Sequence, residues 1–220
     1  MSTQTKGTFE QEYYDTYYRN YTLQNPSRKL DFYRRVFESA AKGIARPKVL
    51  ELGCAFGGVL AVLNPEWDRY GLDVSEYAVG QAKESIPDAK FRVSSATEIP
   101  FEETFDVIAA FDLCEHVPDL GELAGAIKSK LKPSGKLFFV VPVYDGVTGP
   151  IIRALDKDVT HLHKTSRRFW LDWADSHFEV VEWWGIYRYL FPTGYYLHAP
   201  TKMLRKHTPA IAVLATAAEA

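Results

Sequence analysis

Glu51 stands two residues ahead of a glycine-bearing run, Gly53-Cys54-Ala55-Phe56-Gly57-Gly58, and the apolar pair Val49-Leu50 leads into it. A short apolar run bounded by Pro47 and a glycine-rich turn reads as a buried strand that delivers the chain into a tight loop and then a helix, which is the layout of a nucleotide cradle. Against the dinucleotide fingerprint, Gly53-x-Ala55-x-x-Gly58 is a poor match, because a Cβ at the middle position obstructs the approach of a pyrophosphate. An ionised Glu51 at the strand's exit would repel a diphosphate and attract a ligand carrying ammonium or sulfonium charge. Asp73 lies close to the ~20-residue offset at which an acid meets ribose hydroxyls.

A second group of reactive side chains lies in Asp158-Val159-Thr160-His161-Leu162-His163-Lys164. Neutral histidine titrates in the range a general base needs, so His161 and His163 are the candidate bases; the plainer reading is that one hydrogen-bonds the loop and the other is solvated. Asp158, His161 and His163 could also be read as metal ligands, but no further carboxylate or cysteine stands at a clear spacing, and no metal is expected. His116, in Glu115-His116, reads as a structural partner near the site. Cys54 and Cys114 read as small buried packers at the ends of neighbouring strands. Arg167-Arg168 and Lys202, Arg205 and Lys206 could meet an anionic acceptor, although solvated faces are the default for such residues.

Positioning these groups requires an alternation of strands and helices. After the strand at 48–52, Arg69 to Val74 reads as a second strand ending in an acid, and Ser75 as the N-cap of a helix to Ile86. Lys90 to Ser95 gives a third strand, and Phe105-Asp106-Val107-Ile108-Ala109-Ala110-Phe111 a fourth, apolar enough to be buried on both faces. Asp119-Leu120-Gly121-Glu122 resembles a capping box opening a helix to Leu131. Pro133-Ser134-Gly135 then reads as a turn, Lys136 to Val143 as a fifth strand, and the residues after Val143 as a loop without clear period. Ser166 to His177 reads as a helix, Phe178 to Trp184 as a sixth strand and Ala210 to Thr216 as a seventh. The expected fold class is therefore α/β: a Rossmann-like three-layer sandwich around a seven-stranded, mostly parallel sheet with a C-terminal antiparallel strand. Its ligands bind outside the carboxyl ends of the strands, where Glu51, Asp73, Ser95 and Asp112 all fall.

Two aromatic segments flank this body. Residues 1–46 hold Phe9, Tyr13, Tyr14, Tyr17, Tyr18, Tyr21, Phe32, Tyr33 and Phe37. Pro26 divides them, and a helix is expected from about Ser27 to Lys42 with Gly43 as its stop. A packed flap is the plain reading and a lid over the site the sharper one, since tyrosine offers apolar area and a hydroxyl. Within the expected main domain, 47–220, residues 186–209 form an aromatic insertion between the last two strands and the expected acceptor wall.

The 26 basic and 28 acidic residues leave a formal charge of -2, which gives no global field for nucleic acid or an anionic membrane. The first residues lack the apolar core of a signal peptide, and no apolar run approaches the ~18 residues of a membrane span. With two cysteines, no disulfide framework is expected. The expected location is cytoplasmic, without membrane or nucleic-acid partners, and the oligomeric state stays open.

Several motifs in order resemble those of class I S-adenosylmethionine-dependent methyltransferases. They are Val49-Leu50-Glu51-Leu52-Gly53-Cys54-Ala55-Phe56-Gly57, Gly71-Leu72-Asp73-Val74-Ser75, Ala96-Thr97-Glu98-Ile99-Pro100-Phe101, Phe105-Asp106-Val107-Ile108, Glu115-His116-Val117 and Leu131-Lys132-Pro133-Ser134-Gly135-Lys136-Leu137. The resemblance covers roughly residues 47 to 143 and, more weakly, extends to about Gly185. It implies S-adenosylmethionine as cofactor, with Glu51 near the methionine ammonium, Gly53, Cys54, Ala55 and Gly57 against the cofactor, and Asp73 with Val74 at the ribose. Ser95 and Ala96 would lie where many relatives contact adenine through an Asp, and Phe111 and Asp112 would border both cofactor and acceptor. The expected function is methyl transfer to a small-molecule acceptor at oxygen. The alternatives are a nicotinamide-dependent oxidoreductase, disfavoured by Glu51 and Ala55, and a non-catalytic subunit that binds the same cofactor.

Overall fold

The computed structural model describes residues 11–12, 21–146, 149–156 and 158–217, so that Phe9, Tyr13, Tyr14, Tyr17 and Tyr18 of the N-terminal segment lie outside the described residues. The strands are β1 (Lys48–Leu52), β2 (Asp68–Asp73), β3 (Lys90–Val93), β4 (Phe105–Phe111), β5 (Leu131–Pro142), β6 (Phe178–Leu190), β7 (Tyr196–Thr201) and β8 (Ala210–Ala217). They form one eight-stranded sheet in the order β3-β2-β1-β4-β5-β8-β6-β7. The first five pair in parallel, whereas β8 runs antiparallel to both β5 and β6, and β7 antiparallel to β6. The strand order reverses between β1 and β4, and the crevice at such a switch point is where a sheet of this kind receives its ligand.

Alternation along the central strands supplies two cores. Leu50, Leu52, Ile108, Ala110, Leu137 and Phe139 enter one, and Val49, Val107, Ala109, Phe138 and Val140 the other. Helices α3 (Leu120–Lys130) and α5 (Arg167–His177) close the first face through Leu123, Ile127, Trp170 and Trp173. Helices α1 (Ser27–Ala40) and α2 (Glu76–Ser85) close the second through Phe32, Tyr33, Val36, Phe37, Val79 and Ala82. Cys54 and Cys114 are both free and buried, and they pack into opposite cores.

The expected caps at Ser75 and Asp119 are present, and Ser166, expected inside its helix, is the cap of α5. Ser75 Oγ accepts from Ala78 N, Asp119 Oδ1 from Gly121 N and Glu122 N, and Ser166 Oγ from Phe169 N. Ala41 N closes α1 on Phe37 O, and Gly43 at φ 87 turns the chain away.

Four readings change. The helix expected after the glycine-rich turn is a single 3-10 turn, Leu60–Val62. Pro133-Ser134-Gly135 lies within β5, because the ladder begins at Phe105↔Leu131 and resumes at Val107↔Lys136 after a register shift. The segment after Val143 contains a helix, α4 (Gly149–Leu155). The seven expected strands are eight, because β6 continues to Leu190 and folds back as β7. The aromatic insertion is thus mostly a β-hairpin, turned by Gly194 at φ 81 and closed by Phe191 N on Tyr195 O. No helix among the described residues is long and apolar enough to cross a membrane.

Candidate active site

The turn after β1 is held by backbone and by one acid. Cys54 N donates to Leu72 O and Gly57 N to Cys54 O, at 2.9 and 2.8 Å. Asp73, at the end of β2, accepts from Ala55 N on one oxygen at 2.9 Å and from Ser75 N on the other at 3.0 Å. Gly53 (φ 67) and Gly57 (φ 75) adopt left-handed backbone, and an added Cβ would stand 3.0 Å from Leu113 Cδ1 and 2.8 Å from Ile86 Cδ1 respectively. Ala55 takes the same region at φ 45, where a Cβ costs roughly 1–2 kcal/mol. The Asp73 bond to its amide helps to hold it there.

Glu51 is buried, and its Oε2 has no hydrogen-bond partner. Burial, followed by the charge of Asp73, pushes its carboxyl well above the usual range, while Lys29 pulls the other way. The ionised Glu51 that the sequence suggests is therefore the state a cationic ligand would induce. In its absence burial disfavours the charged form, and repulsion of a diphosphate by Glu51 carries less weight than the sequence implies. An orphaned carboxyl oxygen beside a loop opened by left-handed glycines fits an ammonium-bearing nucleoside.

Tyr21 covers this loop. Its hydroxyl accepts from Gly58 N at 3.0 Å, and its ring meets Phe56 edge-on at 4.9 Å. Burial, then Glu51, pushes its phenol up. Val74 is half-buried beside Asp73. Ser95 Oγ lies 2.9 Å from Thr97 Oγ1 and accepts from Thr97 N, so much of its capacity goes into its own turn. Ala96 belongs to the apolar core, which leaves its backbone rather than its methyl for any ligand.

Beyond β4, three elements converge. Phe111 stacks on Tyr33 of α1 at 4.2 Å and 10°. Asp112, at φ 51, donates its N–H to Val140 O and accepts from Arg188 Nη1 of β6 at 2.5 Å. Burial works against the Asp112 charge, but Arg188 and Lys29 hold its carboxyl below the usual range. Lys29 is buried, and burial lowers its ammonium to about 8. His198 of β7 is buried too, with neither ring nitrogen hydrogen-bonded, and burial lowers it to about 3. Sequence reasoning missed Lys29 and Arg188 and placed His198 only within the 186–209 segment expected as the acceptor wall. Lys29 was detectable, since it shares helical spacing with Phe32, Tyr33 and Val36 and so had to point inward.

The histidine loop divides into two fates. His161 Nδ1 lies 2.8 Å from Asp156 Oδ2 and 3.0 Å from the Tyr144 hydroxyl, which itself donates to Asp156 Oδ2 at 2.6 Å. Burial opposes the Asp156 charge, yet hydrogen bonds from Tyr144, Lys164 and His161 hold its carboxyl well below the usual range. His163 instead gives Nε2 to Val117 O at 2.8 Å and packs beside Trp170. Asp158 caps the loop, accepting from Thr160 N at 2.8 Å, and the Asp158, His161 and His163 side chains do not form one set. His116 approaches His161 at 4.7 Å between centroids, and its Nδ1 lies 2.9 Å from Thr160 Oγ1. Glu115 is fully buried with neither carboxyl oxygen hydrogen-bonded, and ligand atoms of Glu115, His116 and His161 lie within 4.8 Å of one another.

A family model described as a methyltransferase domain matches residues 18–191. The ubiquinone biosynthesis O-methyltransferase of Acinetobacter baumannii (strain AYE) is 32% identical over 111 residues, 46% of each chain. That of Methylococcus capsulatus is 32% identical over 114 residues, 48% of each. The chain thus matches about half the length of these curated relatives. Among solved structures, the magnesium protoporphyrin IX methyltransferase of Synechocystis PCC 6803 with bound SAH superposes with a TM-score of 0.68 at 14% identity, covering 97% of this chain and 98% of that one. The N-methyltransferase NodS of Bradyrhizobium japonicum WM9 in complex with S-adenosyl-L-homocysteine gives 0.61 at 16%, covering 94% and 98%. At such identities the likeness speaks to the fold alone.

Proposed function

The chain belongs to the methyltransferase domain family, and from that premise we propose that it moves a methyl group from S-adenosylmethionine to an oxygen of a small-molecule acceptor. The observation that carries the cofactor is the orphaned Glu51 oxygen beside the left-handed Gly53–Gly57 turn. Bound there, S-adenosylmethionine supplies an already activated methyl group, so alignment is the protein's main task.

Glu51 would hold the ammonium, and the Gly53, Cys54, Ala55 and Gly57 backbone would lie against the ligand. Asp73, whose two oxygens accept from Ala55 N and Ser75 N and so stand at the mouth of the turn, would meet the ribose hydroxyls. Phe111 and Asp112 would border the acceptor. Two free, buried cysteines suit a reduced compartment such as the cytoplasm.

Oxygen as the acceptor atom rests on His161, with the names of the curated relatives as support. With its Nδ1 proton donated to Asp156, the ring keeps Nε2 unprotonated, 3.8 Å from Asp158 Oδ2 and beyond hydrogen-bond distance of it, and Asp156 and Asp158 would both stabilise the imidazolium formed when Nε2 takes a hydroxyl proton. His163, committed to the Val117 carbonyl, is the weaker of the two candidate bases.

Turnover of methyl-labelled S-adenosylmethionine across a panel of hydroxylated small molecules tests this reading. His161→Ala should lower turnover by about 10²–10⁴-fold while leaving S-adenosylhomocysteine affinity intact, and His163→Ala much less. Unchanged turnover in both variants would remove the base, and cofactor binding with no product on any acceptor would favour a non-catalytic subunit.

A further inference from the structure

Among the described residues, those between α1 and the β6–β7 hairpin bury more positive charge than they pair with carboxylates. Arg188 and His198 are cross-strand partners at the hairpin, and Lys29 reaches them from α1. Arg188 has its counter-ion in Asp112. Lys29 does not: among the described residues no carboxylate lies within the 4.0 Å of an ion pair, and its ammonium is left with the Gln24 carbonyl at 3.3 Å and the faces of Tyr33 and Tyr196 at 5.8 and 5.6 Å. Only 8% of Lys29 and 4% of His198 is exposed, and neither nitrogen of His198 has a partner. A buried cation without a carboxylate at ion-pair distance and a buried imidazole without a hydrogen bond are both unfavourable in the bare protein, which is the arrangement expected where a ligand completes the bonding.

We propose that Lys29 and His198, backed by Arg188, form a carboxylate-receiving subsite, and that the methyl acceptor is a small organic acid anchored there. One uncompensated cation calls for one negative charge, and the ammonium together with a ring nitrogen presents donors to the two oxygens of a carboxylate. Phe32, Tyr33 and Phe111 offer the body of such a ligand an aromatic wall. Arg188 and His198 stand on β6 and β7, beyond β4, β5 and β8 from the β1–β2 cradle, which puts the subsite on the acceptor's side; Lys29 also interacts with Glu51, so the cofactor's own carboxylate is the rival occupant that the titration separates. The inference rests on the methyltransferase reading, since it presumes that the cradle holds S-adenosylmethionine.

Calorimetric titration of phenylacetate into protein saturated with S-adenosylhomocysteine tests it, with phenylacetamide as the uncharged control. Phenylacetate should bind, phenylacetamide should not, and Lys29→Met and Lys29→Gln should each weaken phenylacetate at least tenfold without changing affinity for S-adenosylhomocysteine. Equal binding of acid and amide, no binding of the acid, or unchanged binding in the folded Lys29 variants would overturn the subsite. Weakened S-adenosylhomocysteine binding in those variants, with phenylacetate bound only in its absence, would assign the cation to the cofactor and equally overturn it. Failure of S-adenosylhomocysteine to bind the wild-type protein at all would instead strike the methyltransferase reading.

Discussion

At the scale of single residues, the site is built from groups whose burial the bare protein does not fully compensate. Lys29 ordinarily titrates at 10.5 and is held at about 8 by burial. Between those values the unfolded chain binds more protons than the native one, so stability rises with pH through that window and the penalty is complete below about pH 8. At ~1.4 kcal/mol per pH unit the penalty is on the order of 3 kcal/mol. Lys29→Met is accordingly expected to stabilise the protein by a few kcal/mol at pH 7, with the gain shrinking towards pH 10. Urea unfolding at both pH values checks this, and a variant less stable than wild type at pH 7 would contradict it. Glu51 shows what sequence reasoning can and cannot supply at this scale. Its position at the strand's exit was legible, but the upward push on its carboxyl was not, because that push comes from burial in the folded chain and from Asp73 on the next strand.

Elements were legible where pattern and local chemistry agree. The apolar run of β4 and the Ser75, Asp119 and Ser166 caps announce themselves, since each depends on neighbours in sequence. β5 was shortened because Pro133-Ser134-Gly135 has turn composition, although the parallel ladder to β4 resumes across it. The β6–β7 hairpin was read as an irregular insertion because its residues are aromatic on both faces and show no clean alternation. The consequence reached the site: Arg188 and His198 fall within the segment expected as an acceptor wall, but their juxtaposition shows only once cross-strand pairing is known. The glycine turn itself is a sharper element than its spacing suggests. Gly57→Ala would place a methyl 2.8 Å from Ile86 Cδ1 at φ 75, and a loss of about 1–3 kcal/mol is expected. Thermal unfolding reads that loss, and an unchanged melting temperature would show that the turn relaxes freely.

For the whole molecule, the sheet order puts the two halves of the chemistry on one carboxyl edge. The acids of β1 and β2 stand on one side of the switch point, and Asp112, the histidine loop and the hairpin on the other. The cofactor half was legible because its determinants lie within strand–turn–helix units that are continuous in sequence. The proposed acceptor side was legible only in part: Phe111, Asp112, the histidine loop and the 186–209 segment could be named, whereas Lys29 and Arg188 could not, because this side would be assembled from α1, β4, the loop after β5 and a hairpin that are far apart in the chain. The central claim is that the Glu51–Gly57–Asp73 cradle selects a nucleoside with a cationic amino-acid tail over a dinucleotide. Calorimetric titration of the wild-type protein with S-adenosylhomocysteine and, separately, with NAD measures this directly. The account predicts saturable binding of S-adenosylhomocysteine and none of NAD; saturable binding of NAD with no heat from S-adenosylhomocysteine would contradict it.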